Sequence, residues 1–324
     1  MNPFVRSILF AALSGAAALA AATDQPYPAK PIRLVVPFPA GGGTDIISRV
    51  VGNKLAETQK WVIVVDNRPG AGGNIGVDLT AKAPADGYTI VMGQTSNLAV
   101  NPTLYAKMPY DALKDFAPVV SVADAPLVLV VAAGSPFKTL ADVVAAAKAK
   151  PGMVTLATPG IGTVAHLTGE LFQKAAGIKL QHVPYKGSSQ AITDLLGGSI
   201  QLLMASVPTA NGQIKGGNMR ALAVTSEQRA ADLPSVPTIN ESGYKGFDAR
   251  TWFGLLAPAG TPPAVVAKLN AEVNKVLKMA EVREKIRTEG GDVLGGTPEQ
   301  FASMIKSEHV RWGKVVKESG AKID

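Results

Sequence analysis

Two glycine-rich stretches hold the residue types best suited to chemistry in this chain: Gly41-Gly42-Gly43-Thr44 and Gly160-Ile161-Gly162-Thr163. The chemistry they suit is anion binding. Each stretch sits between a short apolar run and a segment of helical periodicity. The first turn of a helix offers unpaired backbone N–H groups and the positive end of the macrodipole. Glycines ahead of that turn let a ligand approach the backbone closely, so a carboxylate or phosphate fits there. Glycine turns between strand and helix are also ordinary packing devices in α/β folds, and it is the repetition that favours binding.

Other chemistries find little support. Gly160-x-Gly162-x-x-Ala165 matches the dinucleotide fingerprint, but that fingerprint needs an acidic residue about 20 positions on, at the end of the next strand. The next strand reads Lys179-Leu180-Gln181-His182-Val183-Pro184 and has none, so NAD is rejected and no cofactor is expected. The three histidines, His166, His182 and His309, have no metal-pair spacing, and no metal is expected. The nucleophile elbow and the Gly-Lys-Ser/Thr phosphate loop are missing. Ser303-Met304-Ile305-Lys306 spells S-x-x-K inside an amphipathic helix, where helix-surface chemistry accounts for it. His166 falls in the first turn after Thr163, where it either contacts ligand or packs; no partner makes it a base.

The elements that must position the two loops follow from hydrophobic periodicity. Ile32, Leu34, Val35 and Val36 read as a strand before the first loop, and Ile46, Ile47, Val50, Val51 and Leu55 as a helix after it, with Thr44 as N-cap. Met153–Ala157 and then Leu167, Leu171, Phe172 and Ala175 repeat the arrangement around the second loop. Further strands are read at Val62–Val65, Tyr88–Met92, Pro126–Val131, Ile200–Met204, Ala221–Thr225 and Trp252–Pro258. Thr139–Asp142 and Thr297–Gln300 are capping boxes. Ligands in open α/β sheets sit beyond the carboxyl ends of strands, which makes Gln94, Thr95, Ser96 and Asn97 candidates for a polar wall. Lys186, beside another helix start, is either a partner for a ligand carboxylate or a solvated turn residue.

Residues 1–22 carry Arg6 and an apolar run from Ile8 to Ala22 broken only by Ser14 and Gly15, the pattern of a cleaved secretory signal peptide. The 324-residue chain has no cysteine, which excludes a lipid-anchoring cysteine, disulfides and thiol catalysis. A soluble periplasmic protein is expected. The net charge of +7 favours anionic small ligands by long-range steering. Nucleic acid is not expected, since no basic run or interleaved aromatics occur.

Alternating strands and helices predict an α/β fold with mostly parallel sheets. The chain leaves one domain near Val122 and returns near Arg250. Domain 1 is therefore read as residues 23–122 and 250–324, and domain 2 as 123–249. Two hinge crossovers with a ligand cleft between the domains describe a type II-like periplasmic binding protein.

The run Tyr27-Pro28-Ala29-Lys30-Pro31-Ile32-Arg33-Leu34-Val35-Val36-Pro37-Phe38-Pro39-Ala40-Gly41-Gly42-Gly43-Thr44-Asp45 resembles the opening of the substrate-binding receptors of tripartite tricarboxylate transporters, the Bug family. Asn67–Asn74, Asp86–Thr89, His182–Gly187, Arg220–Thr225 and Trp252–Gly254 continue the resemblance in order. It implies a non-enzymatic, monomeric receptor that closes on a small organic carboxylate and delivers it to a permease with a large and a small membrane subunit. It also implies ligand contacts from Phe38, Ala40, Gly41, Gly42 and Thr44 in domain 1 and from Thr158, Gly160, Gly162 and Thr163 in domain 2. Specificity positions map to Gln94–Asn97, Ala205-Ser206 and Arg250 to Trp252. Many relatives carry an acid or amide where this chain has Ala205-Ser206, which favours a dicarboxylate without an amine; the ligand is read as a di- or tricarboxylate, aliphatic or aromatic. Two rival functions are a ligand sensor docking on a histidine kinase and an exported hydrolase or lyase.

Overall fold

The computed structural model describes residues 27–321. From Pro31 onward the described chain forms one compact unit. The signal peptide expected over 1–22 lies outside the described residues.

The first third is a strand–helix alternation: β1 (Ile32–Val36), α1 (Gly43–Gln59), β2 (Ile63–Asn67), α2 (Asn74–Ala81), β3 (Thr89–Gln94), a π-helical turn Ser96–Val100 and α3 (Asn101–Leu104). β1 is parallel to both β2 and β3. Ile32, Leu34, Val35 and Val36 are all buried, as a central strand covered on both faces requires. A 17-residue strand, β4 (Phe116–Ala132), follows. Next come α4 (Leu140–Ala149), β5 (Thr155–Thr158), α5 (Val164–Ala176), β6 (Gln181–Pro184), α6 (Ser188–Leu196), β7 (Leu202–Ser206), α7 (Val207–Lys215) and β8 (Met219–Val224). The chain closes with β9 (Arg250–Pro258), α8 (Pro263–Lys278), α9 (Ala280–Thr288), β10 (Asp292–Val293) and α10 (Pro298–Ser319).

The sheet runs β2-β1-β3-β9-β4-β7-β5-β6, with β8 and β10 also on β4. Its two trios, β2-β1-β3 and β6-β5-β7, are parallel, because each of their strands feeds a helix. The long strands depart from the expected mostly parallel pattern: β9 is antiparallel to β3, and β4 is antiparallel to β7, β8, β9 and β10. β9 follows β8 with no helix between them. β4 pairs with β9 up to Pro126 and with β7 from Leu127, so one unbroken strand passes from one trio to the other.

Two expected capping boxes form. Thr139 caps α4 with Asp142, and Thr297 caps α10 with Gln300, Pro298 lying in the first turn. Helix α10 packs on β9: Phe301 lies so close to Gly254 that a Cβ there would fall inside the ring's van der Waals envelope. Trp252 meets the same ring edge-on at 5.8 Å.

Candidate ligand-binding cleft

The loop from β1 to α1 is shaped by one carboxylate. Asp45 accepts from the Gly41 backbone N–H at 3.0 Å, from Arg49 Nε at 2.9 Å and from Asn67 Nδ2 at 3.0 Å. Asn67 Nδ2 also donates to the Phe38 carbonyl at 3.0 Å, so the end of β2 holds the loop from behind. Burial alone would raise the Asp45 pKa, but the bonds from Arg49, Gly41 and Asn67 outweigh it and hold the carboxyl below its ordinary value. The N-cap of α1 is Gly42, two residues earlier than the expected Thr44. α1 has no side-chain cap bond, and Asp45 instead ties the Gly41 N–H ahead of the helix to its first turn. By helix geometry the Gly43, Thr44 and Asp45 N–H groups have no carbonyl four residues back within the helix.

The second loop, from β5 to α5, has the expected cap: Thr163 Oγ1 accepts from His166 N at 3.3 Å and donates to the Gly160 carbonyl at 2.7 Å. Behind it two imidazoles stack at 4.5 Å and 19°. His166 Nδ1 accepts from Gly162 N at 3.5 Å, and His182 Nε2 bonds Thr158 Oγ1 at 2.7 Å. Burial, with His182 adding, pushes the His166 pKa down to about 4, so the ring is neutral. His182 is also pushed down by burial.

Two more helix starts join these. β6 leads through Gly187 into α6, and β7 leads through Ser206 directly into α7, whose first turn contains Pro208. The loops meet across the seam between the parallel trios. Gly43 N donates to Thr209 Oγ1 at 2.9 Å, Val164 N to Ser96 Oγ at 3.1 Å, and Ser189 Oγ to the Ala40 carbonyl at 2.9 Å. A Cβ at Gly43 would stand 2.6 Å from Ser206 Oγ.

Between them lies a cleft with about 480 Å³ of atom-free space including its mouth. Its walls carry residues from the starts of four helices: Gly42, Gly43 and Thr44 of α1, Thr163, Val164 and Ala165 of α5, Gly187 and Ser188 of α6, and Ser206 and Thr209 of α7. Gln94, Ser96 and Thr251 add polar groups, and Phe38, Pro39, Leu127, Pro159 and Phe253 add apolar surface. Thr251 Oγ1 donates to Gln94 Oε1 at 2.9 Å, which leaves the Gln94 amide hydrogens to donate elsewhere. Among the described residues no Asp, Glu, Lys, Arg or His lines this cleft. Convergent helix starts aim backbone dipoles into the cleft, and the Asp45 carboxylate in the first turn of α1 is matched by Arg49, so the cleft suits a compact anion.

Of the sequence-predicted site residues, Phe38, Gly42, Gly43, Thr44, Gln94, Ser96, Thr163 and Ser206 line the cleft. The others do not. Ala40 and Gly41 are exposed at the loop tip. Thr95 Oγ1 accepts from Trp252 N at 2.9 Å, and Asn97 Oδ1 accepts from Gln94 N at 3.0 Å, so both serve the turn after β3. Thr158 is engaged by His182, and His166 packs behind the loop. Gly160 lines a second, outer chamber, and Gly162 faces Asn101 and Tyr105. Arg250 is turned away and locked between Asp124, at 2.5 and 3.1 Å, and Asp292, at 2.6 Å. The Trp252 indole donates to Glu308 at 3.2 Å in the packing under α10.

Thr251, within the stretch Arg250 to Trp252, also lines the cleft, and the lining residues missed by the sequence include Ser188, Thr209 and Phe253. Pro208 marks the first turn of α7, which carries Thr209, and was a usable signal. Among the described residues no group of three or more His, Asp or Glu is placed to hold a metal, and no helix is long and apolar enough to cross a membrane.

A family model described as tripartite tricarboxylate transporter family receptor matches residues 47–321. Among solved structures, the periplasmic binding protein BugD is 34% identical with a TM-score of 0.87, over 91% of this chain and 99% of that one. R. palustris Rpa4515, solved with adipate, is 36% identical with a TM-score of 0.89, over 92% and 100%. MatC from Rhodopseudomonas palustris, solved with bound malate, is 30% identical with a TM-score of 0.84, over 90% and 100%.

Proposed function

Because this chain belongs to the tripartite tricarboxylate transporter receptor family, a family of periplasmic solute-binding receptors and not enzymes, we propose that its ligand is a small aliphatic dicarboxylate held between the two glycine-rich loops. The observation that carries this reading is the convergence of four helix starts on a cleft whose walls hold no charged side chain. One carboxylate takes first-turn N–H groups of α1 and α5 other than those of Gly43, Val164 and His166, which bond Thr209, Ser96 and Thr163, and the hydroxyls of Thr44 and Ser188 with one of the bonded pair Ser206 and Thr209 fill its remaining acceptor sites. Adipate and malate, the ligands of two structural neighbours, are both dicarboxylates, which supports the class. Phe38, Leu127 and Phe253 suit the hydrocarbon between the acid groups.

The rest of the reading concerns motion and delivery. Residues 23–122 with 250–324 form one lobe and 123–249 the other, and they close about the place where β4 and β9 cross, with Arg250 bonded to Asp124 in the hinge. The receptor is exported by its signal peptide, acts as a monomer and hands its ligand to a permease with a large and a small membrane subunit. A thermal-shift screen of protein refolded to strip bound solute tests the ligand class. At ~100 times its Kd a ligand adds about 2.7 kcal/mol, a rise of a few degrees for a domain pair of this size. Stabilisation by straight-chain dicarboxylates and not by neutral analogues is the expected result. A response to no carboxylate overturns the reading.

A further inference from the structure

An outer chamber lies beside the cleft and shares Phe38, Pro39 and Pro159 with it. Those three residues form a partition. Beyond it the walls are the glycine turn Gly70–Gly73, Tyr105, Gly160-Ile161 and the end of β6 with Lys186. The chemistry of the two spaces differs in one respect: the inner cleft has no charged lining residue, and in the outer chamber Lys186 is the single charged one.

The turn that bears Lys186 is fixed against the opposite loop on its following side. Gly187, at φ 134°, lies against Pro39 closer than any Cβ would allow, and Ser189 Oγ bonds the Ala40 carbonyl at 2.9 Å. On the preceding side, Tyr185 donates its hydroxyl to Asp194 at 2.7 Å, which occupies the nearest tyrosine and leaves the lysine as the cation of this wall. Burial raises the pKa of the other phenol in the chamber, Tyr105. The lysine therefore stands at the seam between the lobes, on a backbone placed by contacts from both.

We propose that the outer chamber is a second subsite in which Lys186 receives the distal anionic group of a ligand whose first carboxylate occupies the inner cleft. This rests on the carboxylate reading above and deepens it: Lys186 sets the preference for longer dianions over monocarboxylates of the same length. A short diacid lies wholly inside the partition and does not use the lysine. A longer one passes between Phe38 and Pro159 and exchanges solvent around its second carboxylate for the ammonium and the Tyr105 hydroxyl. Part of such a pair is exposed, so its worth is that of a partly desolvated ion pair.

The test is calorimetric titration of the full mature protein, stripped of solute, with straight-chain α,ω-dicarboxylates of four to eight carbons and with monocarboxylates of matching length. Wild type is compared with Lys186→Gln and Lys186→Arg. The expected result is a loss of roughly tenfold for the longer diacids in Lys186→Gln, recovery in Lys186→Arg, and affinities for monoacids within about twofold of wild type. Equal loss for mono- and diacids, or no loss for either, overturns the proposal while leaving the carboxylate reading standing. If wild type binds no member of either series, both fall. Thermal melts of the variants matching wild type establish that an affinity change is not a folding defect.

Discussion

Gly187 and Pro39 touch across the seam between the two loop clusters, with the proline ring inside the 3.0 Å that a Cβ at Gly187 would need. Gly43 stands in the same relation to Ser206, and Gly72 and Gly162 bring backbone from the two sides together at Asn101 and Tyr105. Glycine at these places is what lets the loops meet around a small ligand.

Gly187→Ala is therefore expected to leave the separate lobes folded and to hinder closure. Ligand affinity should fall at least tenfold, about 1.4 kcal/mol, with part of the cost coming from the positive φ that alanine tolerates poorly. Small-angle scattering with saturating ligand should show a less compact particle than wild type. A variant as compact and as tight-binding as wild type would contradict the role given to this contact.

Asp45 is expected to be worth more than its distance from the ligand suggests, because it organises the first loop from inside. Asp45→Ala removes the acceptor for Gly41 N, Arg49 and Asn67 together. A loss of about 1–3 kcal/mol in stability is expected, read from denaturant unfolding, together with weaker ligand binding. Unchanged binding in a destabilised protein would show that the loop keeps its shape without the carboxylate.

The stacked histidines give a pH dependence with a definite sign. His166 has a pKa of about 4 in the folded chain against an ordinary 6.5, and the shift of His182 is in the same direction. Between those values the unfolded chain binds the proton that the folded chain refuses. The stabilising contribution is complete above the unfolded value and is lost progressively as pH falls through this window. From pH 7 to pH 5 the His166 share comes to about 2 kcal/mol. Denaturant melts at the two pH values check it, and His166→Gln should flatten the difference. Stability independent of pH in this window would contradict the assignment.

Arg250 is expected to be a structural residue. Arg250→Met breaks bonds to Asp124 and Asp292 and leaves Asp124, only 21% exposed, short of its partner. A cost of about 1.5–3 kcal/mol is expected in calorimetric unfolding, with ligand Kd changed by less than about threefold. A large loss of affinity at unchanged stability would return Arg250 to the binding site.

Much of this was legible in the chain. Strand positions followed from runs such as Ile32–Val36, and the capping boxes at Thr139 and Thr297 formed as their spacing required. The antiparallel course of β4 was not legible, because its first half, Phe116–Ala125, interrupts its apolar residues with Pro118, Ser121 and Asp124. For the site, the glycine-rich loops gave Gly42, Gly43, Thr44 and Thr163 by position, the strand end gave Gln94 and Ser96, and the resemblance gave Phe38 and Ser206. The positions that fall outside the cleft share one feature. A polar residue at the end of a strand reads the same whether it faces a ligand or completes a turn, and Thr95, Asn97, Thr158 and Arg250 all complete internal bonds. Thr209 was missed because contact across the seam depends on residues far apart in sequence.

The central claim is that neutral donors at converging helix starts hold an anion. The most direct measurement is calorimetric titration of stripped protein with a dicarboxylate and with its diamide, equal in length and shape but uncharged. The account predicts saturable binding of the diacid and at least a hundredfold weaker binding of the diamide. Equal affinity for the two would contradict it, since the cleft would then be reading shape and not charge.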